Sequence, residues 1–544
     1  MTPEEKTQKV VEAYYEAGGN VTEAARLINM KRSTFRDHLD AAGIKPLKSG
    51  RISMLPDNVR NLPQGKAIKR YLLTAAQNNT PVNERFLTNL EAYAAKFDAE
   101  IMISRFTYNK ASYSNAKSVK PGKQPIAADV EECWFDQRIE RYICDDDTIH
   151  GSCRYRLAPD LLWCAEMNIL PTASRPLSGL ATYGGQASCV FPHVKIALES
   201  TATDKKRPAQ INYTTGSVTV RNYIAKKAGL KAEFHHVYGA AVVEVNSDGE
   251  WWVRQIIADD KGSFYDLPGP GRGCVHVHNG QVDTASPLAA VIGDAHFEEA
   301  DSELVHAVWG QDRFIDTIEA QTQVLHDIHS FRAQNHHERK FSSRYKKFVR
   351  GQDNVVDEVT LVADCMAMAH RDWCAMVVVS SNHDRHGDRW LDEMDYRADI
   401  PNAKFFLQAQ LARVEAYESG EFNWNFTKWA VSRLLEQDDI RWLDRDESFI
   451  VGAGTREVQL GMHGDDGPNG SRGTTNSFAN VGARIVKAHD HQAAIRDGVY
   501  SVGTIALDAE YAVGPSSWSA THCVVYPNGK RTLVTMDRNG KWRA

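Results

Sequence analysis

Residues 286–298 read SPLAAVIGDAHFE. The apolar run from Leu288 to Ile292 has the length of a strand buried on both faces. Gly293 lets the chain turn tightly, and the strand then delivers Asp294 and His296, whose i, i+2 spacing lets both side chains reach one cation. An apolar strand that ends in a polar cluster, followed by a helical stretch, is the pattern of a layered α/β domain with its site at strand ends.

The pattern recurs downstream. QVLHDIHSF (323–331) delivers Asp327, whose two carboxylate oxygens suit it to bridge two cations roughly 3.5 to 4 Å apart. CAMVVVSSNHD (374–384) ends in Asn382, a neutral oxygen ligand, and His383, which cannot easily reach the same ion and is free to act on substrate. EVQLGMHGDDG (457–467) gives His463, and ARIVKAHDHQ (483–492) gives His489 and His491. Each fragment alone is weak in a chain with 20 histidines. Their order, each after an expected strand, is what makes them specific.

The series D-x-H, D, N-H-D, H, H-x-H over about 220 residues resembles the calcineurin-like metallophosphoesterase family. The resemblance implies an α/β fold for 287–544, a four-layer βαβ sandwich. It implies that Asp294, His296 and His491 hold one metal, that Asn382, His463 and His489 hold the other, and that Asp327 bridges. His383 is then the residue that protonates the leaving oxygen or steadies the phosphorus, with Asp384 orienting its ring. Two divalent ions are expected. The nitrogen and oxygen donors, without thiolate, point to Mn first, with Fe, Zn or Mg as the other ions considered. The family has glycine before the bridging Asp, the Asn-His pair and the last H-x-H, where this chain has His326, Ser381 and Ala488. Ser and Ala are small substitutes, whereas His326 is bulky. His329, His336 and His337 are nearby histidines, with a surface role as the commoner reading.

Upstream, residues 1–50 read as three short helices: EEKTQKVVEAYYEA, NVTEAARLI and RSTFRDHLDAAG. Gly18 and Gly19 break the first, Asn20 or Thr22 caps the second and Ser33 opens the third. The pattern resembles the helix-turn-helix of bacterial and phage regulators, which implies that Lys31, Arg32 and Arg36 face DNA. A helical module for protein contacts is the alternative. Residues 51–125 read as a helical or linker region, helical around 66–96. Residues 126–286 read as a mixed, mainly β domain with strands at SVTVRNYI, AAVVEV, EWWVRQIIA and CVHVHNG. His235 with His236, and His276 with His278, lack a third ligand at a supporting spacing and read as surface or satisfied histidines.

The chain has 544 residues, a net charge of −6 and nine scattered cysteines with no close pair, which fits a reducing cytoplasm, the host bacterial one if phage-encoded. No stretch approaches the roughly 20 apolar residues of a membrane helix. Three features favour nucleic acid as the substrate. One is the N-terminal module. Another is HHERKFSSRYKKFVR (336–350), where Arg344, Lys346 and Lys347 form a basic stripe with Tyr345 and Phe348 interleaved; a solvated helix face is the alternative. The third is the Gly-rich loop HGDDGPNGSRGTTNSF (463–478), where Arg472 and backbone amides meet phosphate. In layout and size the whole chain resembles the early DNA-transfer and host-DNA-degrading nucleases of T5-like bacteriophages, implying a manganese-dependent DNase and a homo-oligomer. The rivals are a phosphomonoesterase or nucleotidase with a DNA-binding head, and a non-catalytic DNA-binding regulator on a phosphoesterase scaffold.

Overall fold

The apolar runs of the C-terminal region form the parallel strands Ala289–Val291, Thr322–His326, Ala375–Val379 and Arg441–Trp442, side by side in that order. Ala520–Val525 and Arg531–Met536 extend the sheet antiparallel beyond Ala289–Val291, giving six strands. Register sets Val291 against Val324 and His326 against Val379, so the carboxyl ends of the first three strands come level. Their sequences are near-continuously apolar because both faces are covered. Ala290, Ile292, Leu325, Met376 and Val378 pack toward helices that include Ser302–Trp309, Val355–Ala369, Asp384–Glu393 and Phe426–Ser432. Ala289, Val291, Val324, Val377 and Val379 pack toward a second sheet with Leu460, Val486, Ile495 and Tyr500.

The computed structural model describes residues 3–16, 21–42, 59–62, 68–108, 133–144, 154–204, 207–269 and 271–544. It divides into two compact units, Met1–Asp57 and Asn58–Ala544. The second sheet has eleven strands and continues through the expected boundary at 286/287: Leu198–Thr201 pairs antiparallel with Ala494–Arg496. The middle and C-terminal regions are therefore one folded body, and the strands that precede His463 and His489 belong to a sheet begun upstream.

In the described part of 51–125, the helix expected around 66–96 is confined to Glu84–Phe97. Lys69–Gln77 and Ala99–Phe106 are paired parallel strands flanking the helix Glu84–Phe97, in a sheet completed by Gly239–Val245 and Trp251–Ile257. The helix sits where its apolar face, Phe86, Leu87, Leu90 and Tyr93, is buried. SVTVRNYI contributes only isolated bridges at Ser217 and Thr219. Residues 109–132 lie outside the described residues.

In the first unit, Pro3–Glu16, Val21–Leu27 and Arg32–Ala41 close around Val10, Ala13, Tyr14, Ala24, Phe35 and Leu39. Lys31, Arg32 and Arg36 are exposed. The caps differ from expectation: Thr22 lies inside the second helix, and Lys31, not Ser33, precedes the third, without a side-chain cap. Asn20, Gly18 and Gly19 fall outside the described residues.

Gly293 serves a purpose other than the expected turn. A Cβ there would lie 2.8 Å from the Gly503 backbone, and one on Gly503 would lie 1.8 Å from the Ser519 carbonyl oxygen. Two glycines let the chain after the first strand run against 503–505, where Asp294 N–H donates to the Gly503 carbonyl at 2.9 Å. Gly503→Ala is expected to lower stability by about 1–3 kcal/mol through overpacking, read as a lower thermal midpoint. An unchanged midpoint would refute the close-approach argument.

Candidate metal centre

The level strand ends place Asp294, Asp327 and Asn382 on one rim, and the second sheet brings His463, His489 and His491 to face them. Pairing continues past the strands: Ala295 N–H donates to the His326 carbonyl at 3.0 Å, and His296 N–H to that of Asp327 at 2.6 Å. Ala488 N–H donates to the His463 carbonyl at 2.8 Å, tying the two histidine segments together. Four of the seven residues adopt left-handed backbone without being glycine: His296 (φ 41°), Asp327 (φ 44°), His489 (φ 74°) and His491 (φ 56°). Such conformations cost about 1–3 kcal/mol each and persist where surrounding structure imposes them, often at functional sites. Asp327 reaches its position with His326 in the glycine's place; the His326 ring is fully buried, 5.7 Å from that of His463.

All seven expected ligands converge. His491 Nε2 lies 3.2 Å from Asp294 Oδ2 and 3.1 Å from His296 Nε2, and His296 Nε2 lies 3.6 Å from Asp327 Oδ2. His463 Nε2 is 3.2 Å from Asp327 Oδ2 and 3.1 Å from Asn382 Oδ1. The His489 ring centre is 5.3 Å from that of His463, and its backbone N–H donates to Asp294 Oδ2 at 2.8 Å. Asp294, His296, Asp327 and His491 alone present donor atoms within 4.8 Å of one another. The decisive feature is what these buried atoms lack: Asp294 Oδ1, both Asp327 carboxylate oxygens and His463 Nδ1 have no hydrogen-bond partner. Unsatisfied buried carboxylate oxygens are costly in a protein interior, and cations are the partners that a convergent set of oxygen and imidazole donors fits.

Burial raises the Asp294 carboxyl, but the His491 and His463 rings outweigh it and hold it at about 2. Burial pulls His463 down, but Asp327 and Asp294 raise it to about 9. Burial lowers His296 to about 3. In the metal-free protein the raised His463 contributes stability that is full below its ordinary value of 6.5 and lost as pH rises through about 9. Asp294 contributes stability present above 3.8 and lost as pH falls through about 2. Metal-stripped protein should therefore melt at falling temperature from pH 6.5 to 9, by an amount on the order of a few kcal/mol. Calorimetry showing a midpoint that rises across that window would contradict the charged His463–Asp327 pair.

His383 stands beside the cluster, its ring 4.9 Å from that of His296, and its Nδ1 is buried without a partner. The expected orienting role of Asp384 is corrected: its carboxylate accepts from Ser381 N–H at 3.0 Å and Asn425 Nδ2 at 3.2 Å, fixing the loop rather than the ring. Sequence reasoning missed the support behind His296. Its Nδ1 lies 2.7 Å from Ser330 Oγ, and Ser330 N–H donates to Glu298 at 2.5 Å. His329 is buried rather than on the surface, 2.7 Å from Glu358, which also accepts from Arg332 and Ala333 N–H. Ser330 and His329 were visible beside Asp327; nothing marked Glu358, on a distant helix.

No family model and no solved structure matches the chain. It is 33% identical to "Protein A1" of Escherichia phage T5 over 488 residues, covering 88% of this chain and 83% of that one. The chain belongs to the family of that phage protein. At 488 residues the likeness is far longer than the stretch from Asp294 to His491, so membership of the A1 family rests on much more than the site motifs.

The residues expected to contact nucleic acid fare unevenly. Arg344 and Lys346 are exposed, but Lys347 is buried and donates to the Arg332 carbonyl and Glu338, so it is corrected to a structural lysine. Arg472 is exposed. The short helix Thr475–Phe478 after it is capped by Thr474 in a reciprocal box with Ser477, which takes the Thr474 and Ser477 amides. His236 is a satisfied core residue, bonded to Tyr223 and Thr219, and His276 and His278 stack against each other. Among the described residues, no helix is long and apolar enough to cross a membrane.

Proposed function

We propose that this chain is a two-metal-dependent phosphodiesterase of the calcineurin-like kind, most simply a manganese-dependent DNase acting in the infected bacterial cytoplasm, working as a homo-oligomer. The observation that carries the reading is the convergence of Asp294, His296, Asp327, Asn382, His463, His489 and His491 with unpartnered buried carboxylate oxygens among them. Asp294, His296 and His491 would hold one ion, Asn382, His463 and His489 the other, with Asp327 between. When bound, two such cations supply charge against the phosphate oxygens and a nucleophile at neutral pH.

The chain's own residues do the rest. Ser330 holds His296 by its Nδ1, which leaves Nε2 as the donor facing inward. The carboxylates of Asp294 and Asp327 keep the centre anionic, so it binds cations before it binds phosphate. His383, next to His296 with a free ring nitrogen, is placed to pass a proton to the leaving oxygen. DNA as the substrate is supported by exposed Lys31, Arg32 and Arg36 on the N-terminal module and by Arg344 and Lys346. Leu407, Leu411 and Val414, exposed at helical spacing, offer apolar surface for assembly.

The test is cleavage of linear and circular duplex DNA by metal-stripped protein with Mn, Mg, Zn or no metal restored, across a salt series. Manganese-dependent loss of both forms, weakening steeply with salt, is expected. Activity confined to a small phosphomonoester and indifferent to salt would move the protein to the monoesterase reading.

A further inference from the structure

A second group of histidines lies outside the seven-residue cluster. His336 and His337 stand on the single turn His336–Glu338 and His386 on the helix Asp384–Glu393; one ring nitrogen from each lies within 4.8 Å of the others. His386 is buried, His336 half-buried and His337 exposed, so the group opens to solvent on one side. His386 Nδ1 lies 3.1 Å from the Ser330 carbonyl oxygen, which can only accept. Nδ1 therefore carries the proton and Nε2 keeps its lone pair, the arrangement that a backbone carbonyl imposes on metal-binding histidines. His336 is also unfinished as it stands: its Nδ1 is buried without a partner, while its Nε2 lies 2.5 Å from Nη1 of exposed Arg389. A guanidinium can only donate, so Nε2 of His336 is an unprotonated acceptor, the state a metal ligand needs.

We propose that His336, His337 and His386 form a third metal site, separate from the two-metal centre, for a zinc-, cobalt- or nickel-class ion. Three imidazoles without a carboxylate select this class over manganese, magnesium or calcium. Arg389 holds the His336 lone pair that the ion would take, so its exposed side chain would swing away into solvent when the ion binds. The site joins the turn that opens the basic stretch 339–350 to the helix that follows His383, whose ring is 4.8 Å from that of His386. On the reading proposed above, occupancy would thus fix the basic segment that faces substrate against the helix that follows the proton donor His383. The neighbouring group Glu298, His329 and Glu358 is a poorer candidate, because both Glu358 oxygens and one Glu298 oxygen already accept hydrogen bonds from His329 or backbone amides.

The experiment compares the full chain with the double variant His336→Asn, His337→Asn by equilibrium dialysis against zinc and, separately, manganese, with metal counted by mass spectrometry. The double variant is expected to bind about one equivalent less zinc while its manganese content is unchanged. Equal zinc content in the two proteins would overturn the proposal, whatever becomes of the two-metal reading, which the manganese measurement reports. If the variant loses both metals through misfolding, Arg389→Gln decides: zinc held roughly 10-fold more tightly supports the site, as for other changes next to metal ligands, and unchanged zinc affinity overturns it.

Discussion

Asp327→Asn is expected to lower phosphodiester turnover by about 10³-fold or more and to reduce bound manganese, while leaving the fold intact. The substitution conserves shape at a fully enclosed position and removes only the charge and one oxygen. Burial opposes ionisation of this carboxyl, yet His463, His383 and His296 hold it well below the usual carboxylate range. Its oxygens make no well-formed hydrogen bond, and His463 lies 3.2 Å from Oδ2, so the amide would weaken contact with metal and, in the metal-free protein, the pair with His463. Loss of a bridging ligand forfeits several kcal/mol of transition-state stabilisation, and each 1.36 kcal/mol is tenfold in rate. The check is hydrolysis of bis-para-nitrophenyl phosphate at saturating manganese, with metal content measured on the same samples. Turnover within about threefold of the unsubstituted protein would remove Asp327 from the centre.

His383→Ala is expected to leave metal content unchanged and to reduce turnover on DNA by about 10²–10⁴-fold, the usual worth of a positioned proton donor. Its ring lies edge-on to that of His296 and it helps hold the Asp327 carboxyl down, but it is not itself one of the seven expected ligands. A para-nitrophenolate leaves without needing a proton, so the loss on that substrate should be much smaller than on DNA, where an alkoxide leaves. Equal losses on the two substrates, or a parallel loss of manganese, would assign His383 to metal binding or structure instead.

The convergence of the seven side chains was legible in the sequence because they sit at the ends of short apolar runs, where local pattern reports both the strand and the polar cluster that follows it. Asp294, Asp327 and Asn382 follow three parallel strands in register, and His463, His489 and His491 follow strands of the facing sheet. The strands at AAVVEV, EWWVRQIIA and CVHVHNG were legible in the same way, as Gly239–Val245, Trp251–Ile257 and Cys274–His278, but the partners of the middle strands were not. Leu198–Thr201 finds its partner at Ala494–Arg496, and a pairing across almost the whole chain leaves no local trace. KRYLLTAAQ, rich in helix formers, is a central strand because Gly239–Val245 and Ala99–Phe106 flank it, so tertiary pairing overrides propensity. Charge was equally deceptive: Lys347 belongs to a basic run, yet its amine is spent inside the protein on Arg332 and Glu338. The Asp384 side chain, adjacent to His383 in sequence, turns to Ser381 and Asn425, a choice that only the loop geometry makes.

The central claim, that seven side chains from separate strand ends build one two-metal centre, is tested most directly by anomalous diffraction from crystals of the manganese-loaded protein. The account predicts two peaks roughly 3.5 to 4 Å apart, with Asp327 contacting both and Asp294, His296 and His491 divided from Asn382, His463 and His489. A single peak, or a pair that Asp327 does not bridge, would contradict it.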